Sequence, residues 1–489
     1  MTTARRSTIA PAPRRLQPRM ITFFGVMAAM FLSALDQTIV GTAMPTIARE
    51  LGGVNRYTWV TTVYLLTSTA VVPVVGKLSE QLGRKRVFMA AIVAFLGGSA
   101  LCGAAPSMSW LIAFRGLQGV GAGMLTGTAF AVIAELFSPA ERGRYVGMMT
   151  GVFGLASVVG PLVGGGLTDN VGWRWVFYVN LPIGIVVLAA LARTFPTSVR
   201  PALRPRIDFL GAGMIAAGAA LLTLGVSLQG TDGWGSPLVW TGLLGGAALL
   251  VGSLFIEART PEAVLPPRLF RSSIFAVTSG VTFLVGAVMF GAITYIPLFL
   301  QGVVGVHATN SGLLLLPLMA GLVVASIVGG QWLSRSGRYR NQAILGLVLI
   351  CGGIGLATLL GVTSSQAAVT PAMVVLGLGL GLSMPVFNVV SQNAVSHELM
   401  SSATSAVMFI RQMGAVLGLA VMGSYFNSRL SVHGGGHGKV ALAGSIHDVF
   451  VVALLLAAVT LVLSTFLREI PLRTRSHAEE REALAPAVA

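Results

Sequence analysis

Charge is what this chain has least of. Asp, Glu, Lys and Arg make up 10% of its 489 residues, while 54% are hydrophobic. A soluble domain carries about 25% charged residues. With a mean hydropathy of +0.82, the chain is excluded from the soluble globular classes and falls among polytopic membrane proteins. Cysteine is nearly absent. Cys102 and Cys351 both lie inside apolar runs, which reads as small buried hydrophobes and excludes a disulfide framework. The histidines form no metal-ligand pattern: His433 and His437 bracket three glycines with no acid or thiol beside them, and His397-Glu398 reads as a solvated helix junction. No metal is expected. No GxxxxGK[ST] loop is present, which argues against ATP-driven pumping. Gly377-Leu378-Gly379-Leu380-Gly381 lies in an apolar helix rather than after a strand, which removes a dinucleotide site. No enzyme and no cofactor is therefore expected.

The net charge of +16 does not mark a nucleic-acid binder. The basic residues sit in short gaps between apolar runs, with no basic domain and no interleaved aromatics. Those runs are what the sequence has in abundance. A helix needs about 20 apolar residues to cross the hydrocarbon core. On that measure fourteen spans are predicted, at 20–45, 58–76, 87–105, 108–135, 144–167, 175–194, 208–228, 237–256, 273–300, 309–333, 342–361, 369–390, 403–424 and 447–467. An even number puts both tails, 1–19 and 468–489, on one side. Of the 32 basic residues, 25 fall on that side. Five fall opposite (Arg49, Arg56, Arg174, Arg429, Lys439), and Arg115 and Arg411 lie within spans. Positive-inside asymmetry of this size predicts cytosolic tails in a cytoplasmic membrane.

The chain also repeats itself. Gly76-Lys77-Leu78-Ser79-Glu80-Gln81-Leu82-Gly83-Arg84-Lys85-Arg86 follows span two. Gly330 through Arg340 follows span ten, with both glycines and two arginines matching at an offset of 254. Spans two and ten are equivalent only if a pair of spans was added between two six-helix halves. The expected order is thus an N-terminal bundle (20–195), a linker with two extra helices (196–270) and a C-terminal bundle (271–467). Parallel halves of this kind suit a rocking, alternating-access machine.

Acids inside the spans are rarest of all. Asp36 is the one carboxylate deep in an apolar run, whereas Glu135, Asp208, Glu257 and Asp448 sit near span ends. Ionisable groups at membrane depth are expensive and mark ion pathways. Arg115, in span four, falls at a depth similar to Asp36. A buried acid whose neighbours change between two conformations can take up a proton on one side and release it on the other. The same two residues also suit a static pair that fixes helix packing. Arg411, in span thirteen, has no acid on its own helix and needs a counter-charge, carbonyl ligands or a substrate. It reads either as a coupling or cavity charge or as a packing clamp.

Several segments together resemble the fourteen-span drug:proton antiporters of the major facilitator superfamily. Leu35 through Pro45 resembles the family's first-helix signature, with Gly41 where many members carry Asn. Residues 76–88 resemble the superfamily's loop after helix two, with Glu80 in place of the more usual Asp. Leu111 through Gly123, with Arg115, Gln118 and Gly119, resembles the fourth-helix motif. Gly151 through Gly166, with Gly160-Pro161, resembles the antiporter motif of helix five. Tyr295, Pro297, Gln301, Gly305, Gly312, Pro317 and Arg411-Gln412-Met413-Gly414 also fall in family-like places.

The resemblance implies the major facilitator fold: two six-helix bundles plus an inserted hairpin, all α. It also implies an exporter of amphipathic or hydrophobic compounds in exchange for protons, with Asp36, Arg115 and Arg411 in coupling. Gly76, Glu80, Gly83, Arg84 and Arg86 are the expected gate, although that basic run alone would also set topology. Gly160 and Pro161 either seal a seam against proton leak or simply pack helices. Phe31, Tyr64, Met124, Met289, Tyr295, Met384, Phe387, Asn388 and Met408 are candidates for the cavity wall between the halves, or for helix packing. With one deep acid, the expected substrate is lipophilic and neutral or singly charged. Membrane lipids surround it, the proton gradient supplies the energy, and no obligate protein partner is implied. A lipid or glycolipid exporter on the same scaffold is the alternative. A non-transporting scaffold or sensor would have no need of buried Asp36, Arg115 and Arg411 in opposing spans, and the repeat and the glycine seam argue against a passive channel.

Overall fold

In a bilayer every backbone N–H and C=O must be satisfied within its own segment, so apolar runs of this length become helices. The computed structural model describes residues 18–52, 57–195, 208–260, 263–306, 315–396, 399–432 and 438–470, and is all-helical over them. Residues 1–17, the linker 196–207, His397-Glu398, His433 through His437 and residues 471–489 lie outside the described residues, as does the side chain of Glu80.

Among the described residues, fourteen helices are long and apolar enough to span a membrane. The first six are α1 (Pro18–Leu51), α2 (Tyr57–Leu82), α3 (Arg84–Gly103), α4 (Met108–Leu136), α5 (Pro139–Asn170) and α6 (Trp175–Thr194, with a turn at Val179). The next two are α7 (Phe209–Asp232) and α8 (Pro237–Glu257). The last six are α9 (Ser273–Val304, ending in a π-helical turn), α10 (Leu316–Ser336), α11 (Arg340–Thr358), α12 (Gln366–Asn393), α13 (Met400–Val432) and α14 (Lys439–Thr465). All fourteen expected spans are present, with different ends. Helix α1 continues past Pro45. Helix α14 starts eight residues before the expected 447, so Asp448 lies nine residues inside it rather than at its mouth, paired with Arg429 at 3.2 Å. The segment from Gly76, expected as a turn, is still helix to Leu82, and the chain breaks only at Gly83. Gly83 has φ 87° and its repeat partner Gly337 has φ 63°. Only glycine adopts that region cheaply, so the repeat is carried by two equivalent helix breaks.

Helices α1–α6 pack as one bundle and α9–α14 as a second, with α7 and α8 as a close hairpin. Helix α7 lies against both α2 and α13, where the bundles adjoin. The bundles meet through α5 on α10 and α12, and through α13 on α2 and α4. The hydrogen bonds that cross between them cluster at the tail-side end. Arg144 N–H donates to Ser334 Oγ at 2.9 Å, and Ser334 Oγ donates to the Glu141 carbonyl at 3.3 Å. Arg142 Nη1 lies 3.3 Å from Met400 Sδ, and Ser405 Oγ is 3.5 Å from the Gly127 carbonyl. Small residues permit this closeness: a Cβ on Gly147 would run into the Ser326 carbonyl, and one on Gly330 into that of Gly143.

Above this seam the bundles part. Gln37 and Gly41 of α1 are exposed, between a face that reaches α2 through Tyr64 and a face on which Thr38 bonds α5. A Cβ on Gly41 would meet nothing within 4 Å. The molecule therefore holds a cleft sealed at the tail side and open at the other.

Candidate functional site

Glycines on α3 and on α4 itself fix the position of α4. A Cβ on Gly98 of α3 would strike the Gln118 backbone, and Cβ atoms on Gly119 and Gly123 would strike the α2 carbonyls of Tyr64 and Ser68. Backbones this close carry the polar face of α4 into the middle of its bundle. Arg115 is 1% exposed there, and Asp36 of α1 is fully buried. Arg115 Nη1 donates to Asp36 Oδ2 in a close ion pair. Gln118 Nε2 donates to Asp36 Oδ1 at 2.8 Å, and Asn180 Nδ2 to the same oxygen at 3.1 Å. Each carboxylate oxygen thus has a donor.

The shell is as ordered as the pair. Arg115 also donates to Gln118 Oε1 at 2.9 Å and to the Val60 carbonyl at 3.4 Å. Its guanidinium lies 4.0 Å from the centre of the Tyr64 ring. Tyr64 Oη donates to the Ser33 carbonyl at 3.3 Å. Asn180 Nδ2 lies 3.0 Å from Ser99 Oγ, which donates to the Phe177 carbonyl at 2.9 Å. Cys102 Sγ is 3.5 Å from Gln118 Oε1. Five of the bundle's six helices contribute to one buried polar network. A network of this kind rigidifies when satisfied and is costly when half satisfied.

The remaining predicted residues fall in three places. Arg411 is not with Asp36: it lies in the other bundle, half-buried, with Met384 Sδ 3.8 Å from its Nη1. Tyr64, expected on the cavity wall, is fully buried beneath Arg115, because the guanidinium draws the electron-rich ring face inward. Phe31, Met124 and Met289 are half-buried, with Phe31 packed beside Phe153. Met384, Phe387, Asn388 and Met408 are buried, and Asn388 Nδ2 donates to the Met384 carbonyl at 3.1 Å. Tyr295 packs on Phe426 of its own bundle at 5.4 Å.

The expected gate residues divide similarly. Arg84 pairs with Glu135 at 3.0 Å and donates to the Ala131 carbonyl at 2.6 Å, tying the start of α3 to the end of α4. Lys85 Nζ donates to the carbonyls of Ala192 and Phe195 at 2.8 and 3.1 Å, at the C-terminal end of α6, where a cation complements the helix dipole. Arg86 is exposed and Gly76 buried. Gly160 packs α5 onto α1 at Thr38, within one bundle, and Thr38 Oγ1 donates to the Ala156 carbonyl at 3.0 Å, one turn before Pro161, which lies inside the continuous α5. The seam between bundles uses Gly143, Gly147 and Gly154 instead.

Asn180 was missed by sequence reading. Its one signal is a polar residue inside an apolar span, just before Pro182.

Comparison with known proteins agrees with this architecture. The family model described as Major Facilitator Superfamily matches residues 26–419. The multidrug transporter protein MdtP of Bacillus subtilis (strain 168) is 40% identical over 417 residues, covering 84% of this chain and 76% of that protein. Multidrug resistance protein 3 of the same organism is 34% identical over 401 residues, covering 82% and 78%. The crystal structure of the human organic anion transporter MFSD10 (TETRAN) superposes with a TM-score of 0.68 at 14% identity, over 91% of this chain and 99% of that one; at that identity the likeness is one of fold.

Proposed function

The chain belongs to the major facilitator superfamily and is a multi-pass membrane transporter, and on that premise we propose that it exports amphipathic or hydrophobic compounds across the cytoplasmic membrane in exchange for protons, its tails in the cytosol. The observation that carries this reading is the Asp36 carboxylate, fully buried and bonded by Arg115, Gln118 and Asn180. No structural need of a helix bundle calls for such a group, since apolar residues of similar volume are often at least as stable. In this reading its use is to take up and release a proton. Protonation cancels the charge that holds Arg115, so proton uptake by Asp36 weakens the pair. A protonated Asp36 frees Arg115 to rearrange against Tyr64 and Val60. That shifts α1 and α4 on the side of the bundle that faces the cleft.

The tail-side seam sets the direction. With cytosolic tails, the cleft opens to the outside, the state in which cargo leaves and a proton enters. The names of the two Bacillus relatives support small-molecule efflux as the cargo class. The deciding experiment uses the purified full chain in proteoliposomes with a trapped pH dye. A lipophilic fluorescent compound should accumulate against its gradient when a proton gradient is imposed. Adding that compound without an imposed gradient should drive proton movement the other way. Transport that runs only downhill, whatever the pH gradient, would refute antiport.

A further inference from the structure

Two guanidiniums lie at membrane depth, and they are housed in opposite ways. Arg115 is enclosed by Asp36, Gln118, the Val60 carbonyl and the Tyr64 ring. Arg411 of α13 has one acceptor, the Met384 thioether at 3.8 Å, and sulfur is a weak one. No carboxylate stands within ion-pair distance of Arg411 among the described residues.

Several described acids are engaged elsewhere. Asp36 is sealed in the first bundle. Glu135 holds Arg84, Glu50 holds Trp173 and Arg174, and Asp448 holds Arg429. Glu257 accepts the backbone N–H groups of Val264 and Leu265. The acids outside the described side chains lie at helix ends or beyond them.

The position of Arg411 gives this charge a role. Residues 402–409 of α13 are buried without a break, and partial exposure begins at 410–412. Arg411 therefore stands on the floor of the cleft, where the seam ends and the opening begins. Met124 of α4 and Met289 of α9, two helices that pack on α13, are half-buried, as are Phe31 of α1 and Phe153 of α5. A guanidinium in a low-dielectric setting without a counter-ion carries a desolvation cost that an entering anion relieves. Charge-assisted, often bidentate hydrogen bonds to an acidic group are the strongest that arginine forms. An entering cation would instead meet a like charge at Arg411.

We propose that the cargo is an amphipathic monoanion and that Arg411 holds its acidic group at the floor of the cleft, a lipophilic carboxylate being the simplest form. This names the cargo class of the exporter described above and rests on that reading. Phe31, Phe153 and the cleft methionines receive the apolar body. Methionine suits bodies of varied shape. Proton antiport then moves an anion out and a proton in.

The test uses three probes with one body: dansyl-aminoundecanoate, its primary amide, and the amine that replaces the acid by a cation. Binding to the full chain in nanodiscs is read by dansyl fluorescence, with empty nanodiscs as the blank. The acid should bind at least about tenfold more tightly than the amide, and the amine more weakly than both. Arg411→Gln should weaken the acid about tenfold or more and leave the amide within twofold. Arg411→Lys should recover part of the loss. Unchanged amide binding by Arg411→Gln certifies that the variant is folded, and the wild-type acid-to-amide ratio needs no variant at all. Equal binding of acid and amide by the wild type, failure of the acid to bind, or preference for the amine would overturn the inference. Uphill transport of the amine or amide but not the acid would overturn it while leaving antiport intact. Acid binding without any uphill transport would overturn the exporter reading alone.

Discussion

Replacing Asp36 by Asn separates a coupling carboxylate from a packing clamp. The substitution keeps shape, and the Asn carbonyl can still accept from Gln118 and Asn180. What it removes is the counter-charge of Arg115, which is 1% exposed. Breaking one side of a buried pair costs about 3–5 kcal/mol. If that energy drives the coupled step, uphill flux falls by at least about a hundredfold, since about 1.4 kcal/mol is a factor of ten. The assay is proton flux driven by substrate in proteoliposomes, beside thermal unfolding of the same preparation. A second arm carries Asp36→Asn together with Arg115→Gln. Removing both charges relieves the uncompensated guanidinium, so stability should return to within about 1 kcal/mol of wild type in a double-mutant cycle. Flux should stay absent, because nothing is left to titrate. A clamp makes the opposite forecast: flux returns with stability. Recovery of uphill transport in the double variant would refute the coupling argument, as would undiminished transport by Asp36→Asn alone.

Three further outcomes are expected. Asn180→Ala removes one of two donors to Asp36 Oδ1 and should lower coupled flux about fivefold to a hundredfold, less than Asp36→Asn does; an unchanged flux would show that Asn180 only packs. Gly147→Leu drives a side chain into the Ser326 carbonyl, so cross-linking between cysteines placed at Arg144 and Ser334, whose backbone N–H and Oγ are 2.9 Å apart, should fall sharply; an equal yield would mean that the seam does not set tail-side closure. Gln392 is 2% exposed and both polar atoms of its amide lack a partner, so Gln392→Leu should stabilise the tail-sealed state by about 1–3 kcal/mol and slow turnover, read as higher yield of the same cross-link.

Much of this architecture is legible in the sequence because the bilayer imposes simple rules. Span number follows from apolar length, and the equivalence of spans two and ten follows from glycines 254 residues apart. The two helix-breaking glycines of that repeat are the ones with positive φ. The meeting of Asp36 and Arg115 was legible from depth alone. What depth cannot give is rotation about the helix axis. Tyr64 and Arg411 were both placed at cleft level, yet Tyr64 turns into its bundle and Arg411 stays at the cleft floor. Lys85 looked like a topology charge within a basic run; its bonds to the end of α6 depend on where a distant helix stops. Of the two readings open for Gly160-Pro161, the packing one describes its contact. The conspicuous Gly160-Pro161 serves contact with α1, whereas the plainer Gly143 and Gly147 lie against α10.

The two arginines also assign different tasks to the two bundles. The first bundle is electrically closed: Asp36 cancels Arg115, and five helices satisfy the pair. It changes net charge only when a proton arrives. The second bundle carries an uncancelled charge at Arg411 and no titrating partner for it among the described residues. Coupling on one side of the cleft and cargo recognition on the other then communicate through the seam they share, where α5 lies on α10 and α13 on α2 and α4. In the proposed mechanism, neutralising Asp36 loosens α4 and occupying Arg411 steadies α13, which packs on α4. Both events therefore act on the α4–α13 contact near Gly127 and Ser405. Substitution of Ser405, the α13 side chain at that contact, by Leu should accordingly uncouple the two without abolishing either: acid binding at Arg411 persists, proton exchange at Asp36 persists, and the ratio of protons moved to cargo moved becomes variable between preparations of different pH. A fixed ratio in that variant would show that the signal crosses elsewhere, along α5 and α10.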